Sequence, residues 1–232
     1  MAAMTPEMVM GAFDAESRRL SEVAAGVDEA SFARPSPCPP WTAGELLYHV
    51  QMTMERLGVM LAAPEPPGTR LVAAPGYYRA DQRFSAGANA DRIRTAQHGA
   101  DALPDAAARA RDFEATRKRI WSLLRAAPPE RVVRTRHGDR MLLTEFLRTR
   151  VLELAVHGLD LAVALDREPW MTAPAAAVTE EILLTPPAGA TLRALTGWDP
   201  VTLIAKLTGR VPASAGEIHL ISSTGIRPLA LG

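Results

Sequence analysis

Apolar residues recur at the three- and four-residue spacing of helices through most of the first 165 positions. The first such stretch opens with Thr5 and Pro6, a good N-cap followed by a residue that suits the first helical turn. A second opens at Thr42, where Glu45 completes a capping box. We therefore expect four long helices, over about residues 5–26, 43–63, 105–127 and 144–165.

The segments between these helices are less regular. Residues 33–41, ARPSPCPPW, hold too many prolines for either regular element, and residues 64–86 are predicted to form a long loop. A weaker helical pattern covers about residues 89–102. Turn residues at 137–139, between two β-prone arms, predict a small hairpin.

After the last long helix the pattern changes. We expect one short helix near residues 175–184 and another that starts at Asp199, while EIHLI at 217–221 is typical of a strand. The predicted fold class is therefore mainly α, with a four-helix bundle and a small α/β subdomain at its C-terminal end. The predicted division places the bundle in residues 1–168 and the subdomain in residues 169–232.

Composition narrows the function classes more than it narrows the fold. Lys+Arg equals Asp+Glu at 26 each, with no basic stripe, so we expect no nucleic-acid partner. A single cysteine excludes an intrachain disulfide framework and an all-thiolate zinc cage. The N-terminal residues do not form a signal peptide and no apolar run reaches a membrane-spanning length, so we expect a cytoplasmic protein without a membrane partner.

The strongest chemical pattern lies in the last long helix, in the segment RTRVLELAVHGLDLA. Glu153 and His157 are four residues apart, and Arg150 and Asp160 extend the same stripe in both directions. Apolar residues flank the stripe on both sides, which favours an inward-facing line of polar groups over a surface ion pair. A carboxylate and an imidazole at this spacing can chelate one metal ion, with Asp160 or Arg150 orienting the ligands.

A third ligand must come from another helix. His49 is the candidate, because it lies inside the apolar segment GELLYHVQM, although a lone histidine among apolar residues is often a hydrogen-bonded core residue. The other histidines lie in a turn, a polar stretch and a predicted strand, and they are weaker candidates: His137, His98 and His219.

Two separated motifs carry a family resemblance. PSPCPPWTAGELLYHV, followed far downstream by RTRVLELAVHGLDLA, resembles the DinB-like superfamily, and within it the mycothiol-dependent maleylpyruvate isomerase and mycothiol S-transferase branch. The tail segment GWDPVTLIAKLTGR is similar to the C-terminal pattern of that branch. Pro40, Tyr48 and a short C-terminal region depart from the usual pattern, and Tyr48 raises the question of crowding at the metal.

The resemblance implies a metal-dependent thiol enzyme. It implies that His49, Glu153 and His157 bind a divalent ion, with zinc as the first expectation and nickel or iron as alternatives. It also implies mycothiol, or a related low-molecular-weight thiol, as cosubstrate and a small electrophile as substrate. S-transfer and cis–trans isomerisation are then the two expected reactions, because the metal holds the thiol as a thiolate.

Further site residues are expected around this centre. Asp160 and Arg150 are the candidate catalytic residues. Candidate substrate-binding residues are Arg79 and Arg83, beside a pair of tyrosines, and Arg210, which resembles a substrate-contacting arginine of the isomerase branch. For Cys38, between two prolines, a structural role beside Trp41 is favoured over a nucleophilic one.

Two other functions stay open at this point. A metal-dependent hydrolase would use bound water and needs a general base, for which Asp160 is the nearby choice. A non-catalytic, small-molecule-binding member of the DinB-like superfamily would keep the bundle without turnover. The oligomeric state also stays open, including a homodimer.

Overall fold

Helices account for nearly all the regular structure of the protein. The structure is a computed structural model and describes residues 4–79, 81, 85–128, 130–184 and 186–229. In chain order the elements are α1 (Pro6–Ala25), α2 (Glu29–Phe32), α3 (Ala43–Ala62), α4 (Ala74–Tyr77), α5 (Ala86–Asp101), α6 (Ala106–Ala126), β1 (Val132–Arg134), β2 (Arg140–Leu142), α7 (Leu143–Ala164), α8 (Ala173–Leu183), α9 (Ala188–Thr196), α10 (Pro200–Leu207) and α11 (Ala215–Ser223).

The four long helices α1, α3, α6 and α7 form a bundle. Helix α1 packs against α6 and α7, and α3 packs against the same two helices from the other side. Their apolar stripes meet in a core that contains fully buried Phe13, Leu46, Phe113 and Phe146. The predicted helix starts are confirmed, since Thr5 accepts a hydrogen bond from a backbone N–H of the first turn of α1 and the capping box at the start of α3 is present.

Helix α7 lies at the centre of the molecule. It contacts α1 and α3 in the bundle, and α8 covers it from the C-terminal part of the chain. Residues on all its faces are therefore buried, including Val151, Leu154, Val156 and Leu161. A helix that is apolar around most of its circumference is typical of such a central position.

The hairpin is confirmed, and an additional helix lies in the segment predicted as a loop. Strands β1 and β2 pair antiparallel with Val133 opposite Met141. In the predicted loop, the short helix α4 begins where the backbone N–H of Ala74 donates to Glu145 Oε2 of α7 at 2.7 Å. This hydrogen bond fixes the segment that carries Tyr77 and Tyr78 against the side of α7.

The C-terminal region contains a helix where the sequence predicted a strand. The predicted strand at 217–221 is wrong, because these residues belong to helix α11. Ser214 and Glu217 form a capping box there, and this local signal for a helix start outweighs the β-prone residues that follow. The fold class, mainly α with a four-helix bundle and a small C-terminal part, is confirmed; the domain boundary after residue 168 stays a prediction.

Helices α2 and α9 were also missed by the sequence pattern, because four and nine residues are too few to show a clear helical period. Within the described part of the chain, no helix is both long enough and apolar enough to cross a membrane.

Candidate metal centre

The polar stripe of α7 faces the interior, as its apolar flanks predicted. The four residues Arg150, Glu153, His157 and Asp160 are at most 9% exposed. His49, on α3, is 7% exposed and lies opposite the stripe. The packing of α3 against α7 therefore brings together the three predicted ligands, which are far apart in sequence.

The three predicted ligands approach one another closely. Glu153 Oε2 lies 3.4 Å from His157 Nε2 and 4.0 Å from His49 Nε2. The ligand atoms of these residues all lie within 4.8 Å of one another. Ligand atoms around one tetrahedral zinc ion lie roughly 3.3–3.6 Å apart, so small side-chain movements suffice to place all three around one ion.

The ring of His157 is held from behind by a carboxylate. Its Nδ1 lies 2.9 Å from Asp160 Oδ2, which directs Nε2 toward Glu153. Asp160 in turn accepts two hydrogen bonds from Arg210, from Nε at 3.1 Å and from Nη2 at 3.0 Å, and one from the thiol of Cys38 at 3.2 Å. The chain thus builds a continuous series of contacts behind His157.

The charges of this series shift the pKa values of its members. Burial opposes the charged form of His157, but the hydrogen bonds to Asp160, Cys38 and Glu153 raise its pKa well above the usual value. Burial also works against Asp160 ionising, yet His157 and Arg210 lower its pKa to about 2. Asp160 is therefore a permanent anion at neutral pH and stabilises positive charge on the imidazole side.

His49 is held in a different way. Its ring stacks on Trp41, with centroids 4.6 Å apart, and its Nδ1 has no hydrogen-bond partner in the described part of the chain. Burial, and then the charge of His157, lower the pKa of His49 well below its usual value. His49 is therefore neutral, the form in which an imidazole binds metal ions.

Glu153 is the shared acid of the centre. Burial would raise its pKa, but the hydrogen bond from His157 and the charges of Arg150 and His157 lower it below its usual value. The hydroxyl of Tyr78 lies 3.4 Å from Glu153 Oε1 and 3.0 Å from the backbone oxygen of Thr149. Glu153 is therefore ionised, with Oε2 directed to the histidines and Oε1 toward Tyr78 and Arg150.

The three residues open onto a cavity with an empty volume of about 680 Å³, counting the space at its open mouth. Its wall contains aromatic and apolar side chains beside four arginines. The lining residues are Trp41, His49, Met52, Thr53, Arg56, Tyr77, Tyr78, Arg92, Arg136, His137, Arg150, Glu153 and His157.

The region that contains this centre matches a known family model. Residues 13–162, well over half of the chain, match the model described as mycothiol maleylpyruvate isomerase N-terminal domain. This chain belongs to that family. Its fold is similar to the crystal structure of the mycothiol-dependent maleylpyruvate isomerase, with a TM-score of 0.55 at 18% identity over 79% of this chain and 70% of that chain. A comparison with curated proteins finds no match.

Two of the predicted substrate-binding residues form ion pairs outside the cavity. Arg79 is half-exposed, forms ion pairs with Asp81 and Asp139, and does not line the cavity. Arg210 lies behind His157 on Asp160 and does not line the cavity either. Arg83 lies outside the described residues. A role in substrate binding stays a prediction for all three.

The two predicted catalytic residues differ in position. Arg150 lines the cavity, and its Nη2 has no hydrogen-bond partner within the described residues. Asp160 does not line the cavity, so any effect it has on a bound substrate acts through His157. Cys38 is buried and donates to Asp160, which agrees with the structural role favoured for it.

A second group of metal-ligand types also includes His157, together with Cys38 and Asp160. The guanidinium of Arg210 lies on Asp160 Oδ2, with Nη2 4.0 Å from Cys38 Sγ. A fixed positive charge at this distance disfavours a cation on that side, so we assign the group to the support of His157.

Tyr48 does not crowd the centre. Its ring packs on Gly99 of α5, where an added Cβ would lie 2.0 Å from Tyr48 Cε1. Gly99 therefore allows α5 to approach α3 closely, and Tyr48 fills the contact on the side of α3 away from the cavity.

Sequence reasoning missed several residues of the cavity. Arg56 and Arg136 lie on α3 and in the β1–β2 turn, and their proximity depends on how the hairpin docks beside the bundle. His137 lines the cavity, although the sequence offers it only as a weak candidate metal ligand, and it belongs to neither group of possible metal ligands among the described residues. Its only signal in the sequence is its place in the hairpin turn next to a pair of arginines.

Proposed function

We propose that this protein is a divalent-metal-dependent enzyme that uses a low-molecular-weight thiol, with mycothiol as the first candidate. The reaction is attack of the thiol sulfur on a small electrophile, by S-transfer or by cis–trans isomerisation. The observation that carries the proposal is the convergence of His49, Glu153 and His157 at the base of an open cavity. Membership of the family supports the choice of thiol.

The donor set fits a divalent ion. Two imidazole nitrogens and one carboxylate suit zinc first, and nickel or iron also accept them. Three protein ligands leave coordination positions for a reactant, as in catalytic zinc sites. An ion bound by such ligands lowers the pKa of a coordinated thiol, so that it is present as a thiolate at neutral pH.

The residues around the centre have separate tasks in this proposal. Asp160 would hold Nδ1–H of His157, so that once a metal ion displaces the proton from Nε2 the lone pair of Nε2 faces the cavity. Tyr78 limits the movement of Glu153 by hydrogen bonding near Oε1. Trp41 holds the plane of His49 by stacking, which restricts the ring without competing for its nitrogen atoms.

Arg150 is the residue best placed to act on a substrate. It is buried, it lines the cavity, and the rings of Phe146 and Tyr77 pack against its guanidinium at 4.6 and 5.4 Å. These rings fix the direction of the guanidinium, while Nη2 keeps a donor for an acid or carbonyl oxygen of the substrate. Arg150 thereby orients the electrophile beside the metal ligands.

The arrangement gives no support to the hydrolase alternative. A hydrolase of this type needs a general base within hydrogen-bond reach of the attacking water. Asp160, the candidate base, is engaged by His157, Arg210 and Cys38 and does not face the cavity.

The decisive test is elemental analysis of protein purified without a metal-affinity tag. We expect about one equivalent of a divalent metal in the native protein and its loss in His157→Ala. His219→Ala, an exposed histidine on α11, is the matched control and keeps the metal. Absence of metal from native protein, even after incubation with zinc, nickel or iron, contradicts the proposal.

The thiol step needs a separate measurement. Metal-loaded protein is incubated with mycothiol and a panel of small electrophiles, and products are identified by mass spectrometry with and without the thiol. Products that require both thiol and metal support the proposal. Turnover without thiol identifies a hydrolase, and bound metal with tight ligand binding but no turnover identifies a binding protein.

A further inference from the structure

The wall of the cavity is unusually rich in positive charge. Arg56, Arg92, Arg136 and Arg150 all line it, whereas Glu153 is its only carboxylate among the described residues. The four arginines come from four separate elements, namely α3, α5, the β1–β2 turn and α7. Such convergence does not follow from the local sequence of any one element, and it concentrates like charges in one place.

In the described part of the chain, Arg56 and Arg136 lack the carboxylate partner that many other arginines of this protein have. Arginines elsewhere in the chain commonly lie within ion-pair distance of a carboxylate, as Arg117 and Arg148 do. Within the described residues neither Arg56 nor Arg136 has a carboxylate at that distance, and the Nε of Arg136 donates to His137 Nε2. The pKa of Arg56 is lowered, first by partial burial and then by the charge of Arg136.

Like charges that share a cleft without counter-ions destabilise the folded protein, and they attract anions into that cleft. We propose that Arg56 and Arg136, with Arg92 beside them, form an anion-binding subsite at the mouth of the cavity, which holds a carboxylate group of a reactant. Arg150 lies deeper in the cavity, 3.8 Å from Glu153, and binds the other end of the same reactant. The subsite selects a small molecule with an acid group remote from its reacting atom.

This inference rests on the proposed function only for the identity of the reactant. The acid group belongs either to the electrophile or to the thiol. In the first case a thiol-free diacid binds to the subsite without metal. In the second case an acid-bearing thiol bridges the metal and the arginines, so its binding requires both.

The experiment is calorimetric titration of the full chain with succinate, before and after removal of metal. We expect binding in both forms, weakened about tenfold by Arg56→Gln and by Arg136→Gln, since each substitution removes a charged hydrogen-bond donor. Arg134→Gln, an exposed arginine on the same hairpin that does not line the cavity, is the matched control and keeps the affinity.

A second arm compares thioglycolate with 2-mercaptoethanol in the metal-loaded protein. If the acid group belongs to the thiol, thioglycolate binds more tightly, and the advantage disappears in Arg56→Gln or after metal removal. The subsite is overturned if neither succinate nor thioglycolate depends on Arg56 and Arg136. Since succinate binding is measured on metal-free protein, this result is independent of whether a metal site exists.

Discussion

Two helix–helix contacts, here called the α1–α6 seam and the α3–α7 seam, contain buried polar groups but differ in how completely these groups are hydrogen-bonded. Between α1 and α6, Arg117 donates to Asp14 at 3.2 Å and to both oxygens of Glu114 at 2.7 and 2.9 Å, while Ser21 donates to Glu114 at 2.8 Å. Between α3 and α7, polar atoms of His49 and of neighbouring cavity residues stay without a hydrogen-bond partner within the described chain.

The difference is what we expect between a structural polar cluster and a site that receives a ligand. Buried polar groups that only support the fold satisfy one another, because an unpaired buried group destabilises the protein. In the α3–α7 seam the unpartnered atoms belong to residues that line the cavity, Trp41, His49 and Arg150. These polar atoms are therefore available to ordered water or to a polar group of a bound reactant.

The largest effect on the free energy of unfolding is expected in the α1–α6 seam. Arg117→Met leaves Glu114 and Asp14 without their shared cation, so the free energy of unfolding should fall by about 2 kcal/mol. Chemical denaturation measures this loss, and elemental analysis should show unchanged metal content. Arg119→Met, at a more exposed arginine of the same helix, is the control and should change stability by less than about 1 kcal/mol. Loss of metal in Arg117→Met would show that the two seams are not independent.

A change behind the α3–α7 seam should lower the affinity for metal more than the free energy of unfolding. Asp160→Asn removes the negative charge behind His157, so metal affinity should fall by about tenfold or more, as for other residues that hold a ligand histidine. Competition with a chelating dye measures the affinity. An unchanged affinity would mean that Arg210 and Asp160 stabilise the fold alone.

A third buried charge sharpens the comparison because it lies outside both seams. Glu16 accepts from the backbone of Thr172, its other oxygen is unpartnered, and burial raises its pKa above 4.5. The folded state then binds the proton of Glu16 more tightly than the unfolded state, so the contribution of Glu16 to stability is greatest at low pH and is lost as the pH rises through its folded pKa. Glu16→Gln should gain about 1 kcal/mol over the native protein at neutral pH and lose this advantage near pH 4.

Thermal unfolding from pH 4 to pH 8 measures that difference. Glu22→Gln, an exposed acid on the same helix, is the control and should follow the native protein at each pH. A difference between Glu16→Gln and the native protein that stays constant with pH would show that folding does not shift the pKa of Glu16.

The smallest effect is expected for Tyr78→Phe. The substitution removes a hydroxyl that donates near Glu153 and Thr149, a contribution of about 1 kcal/mol or less to stability. Metal stays bound, but the freedom of Glu153 increases, and the rate of metal loss measured with a chelator should rise a few-fold. An unchanged rate of metal loss would show that the Tyr78 hydroxyl donates only to the backbone oxygen of Thr149.

The sequence contains enough information to predict the bundle and the convergence of the three candidate ligands, but not the cavity. The four-residue spacing of Glu153 and His157 puts both on one face whatever the tertiary structure, and the apolar surroundings of His49 mark it as buried. Arg56 and Arg136 have no such local signal, since their proximity depends on the docking of a hairpin on α3. For the same reason Arg210 could be noticed in the tail but not placed on Asp160.

The position of Arg210 also has an evolutionary consequence. The family match ends at residue 162, two positions after Asp160, whereas the arginine that holds this carboxylate lies 50 residues further along the chain. We therefore expect the matched region to depend on the C-terminal part of the chain for the charge balance of Asp160. A recombination event that supplied a new C-terminal region would preserve the carboxylate only if the incoming segment carried an equivalent cation, so the two positions are expected to be inherited as a pair.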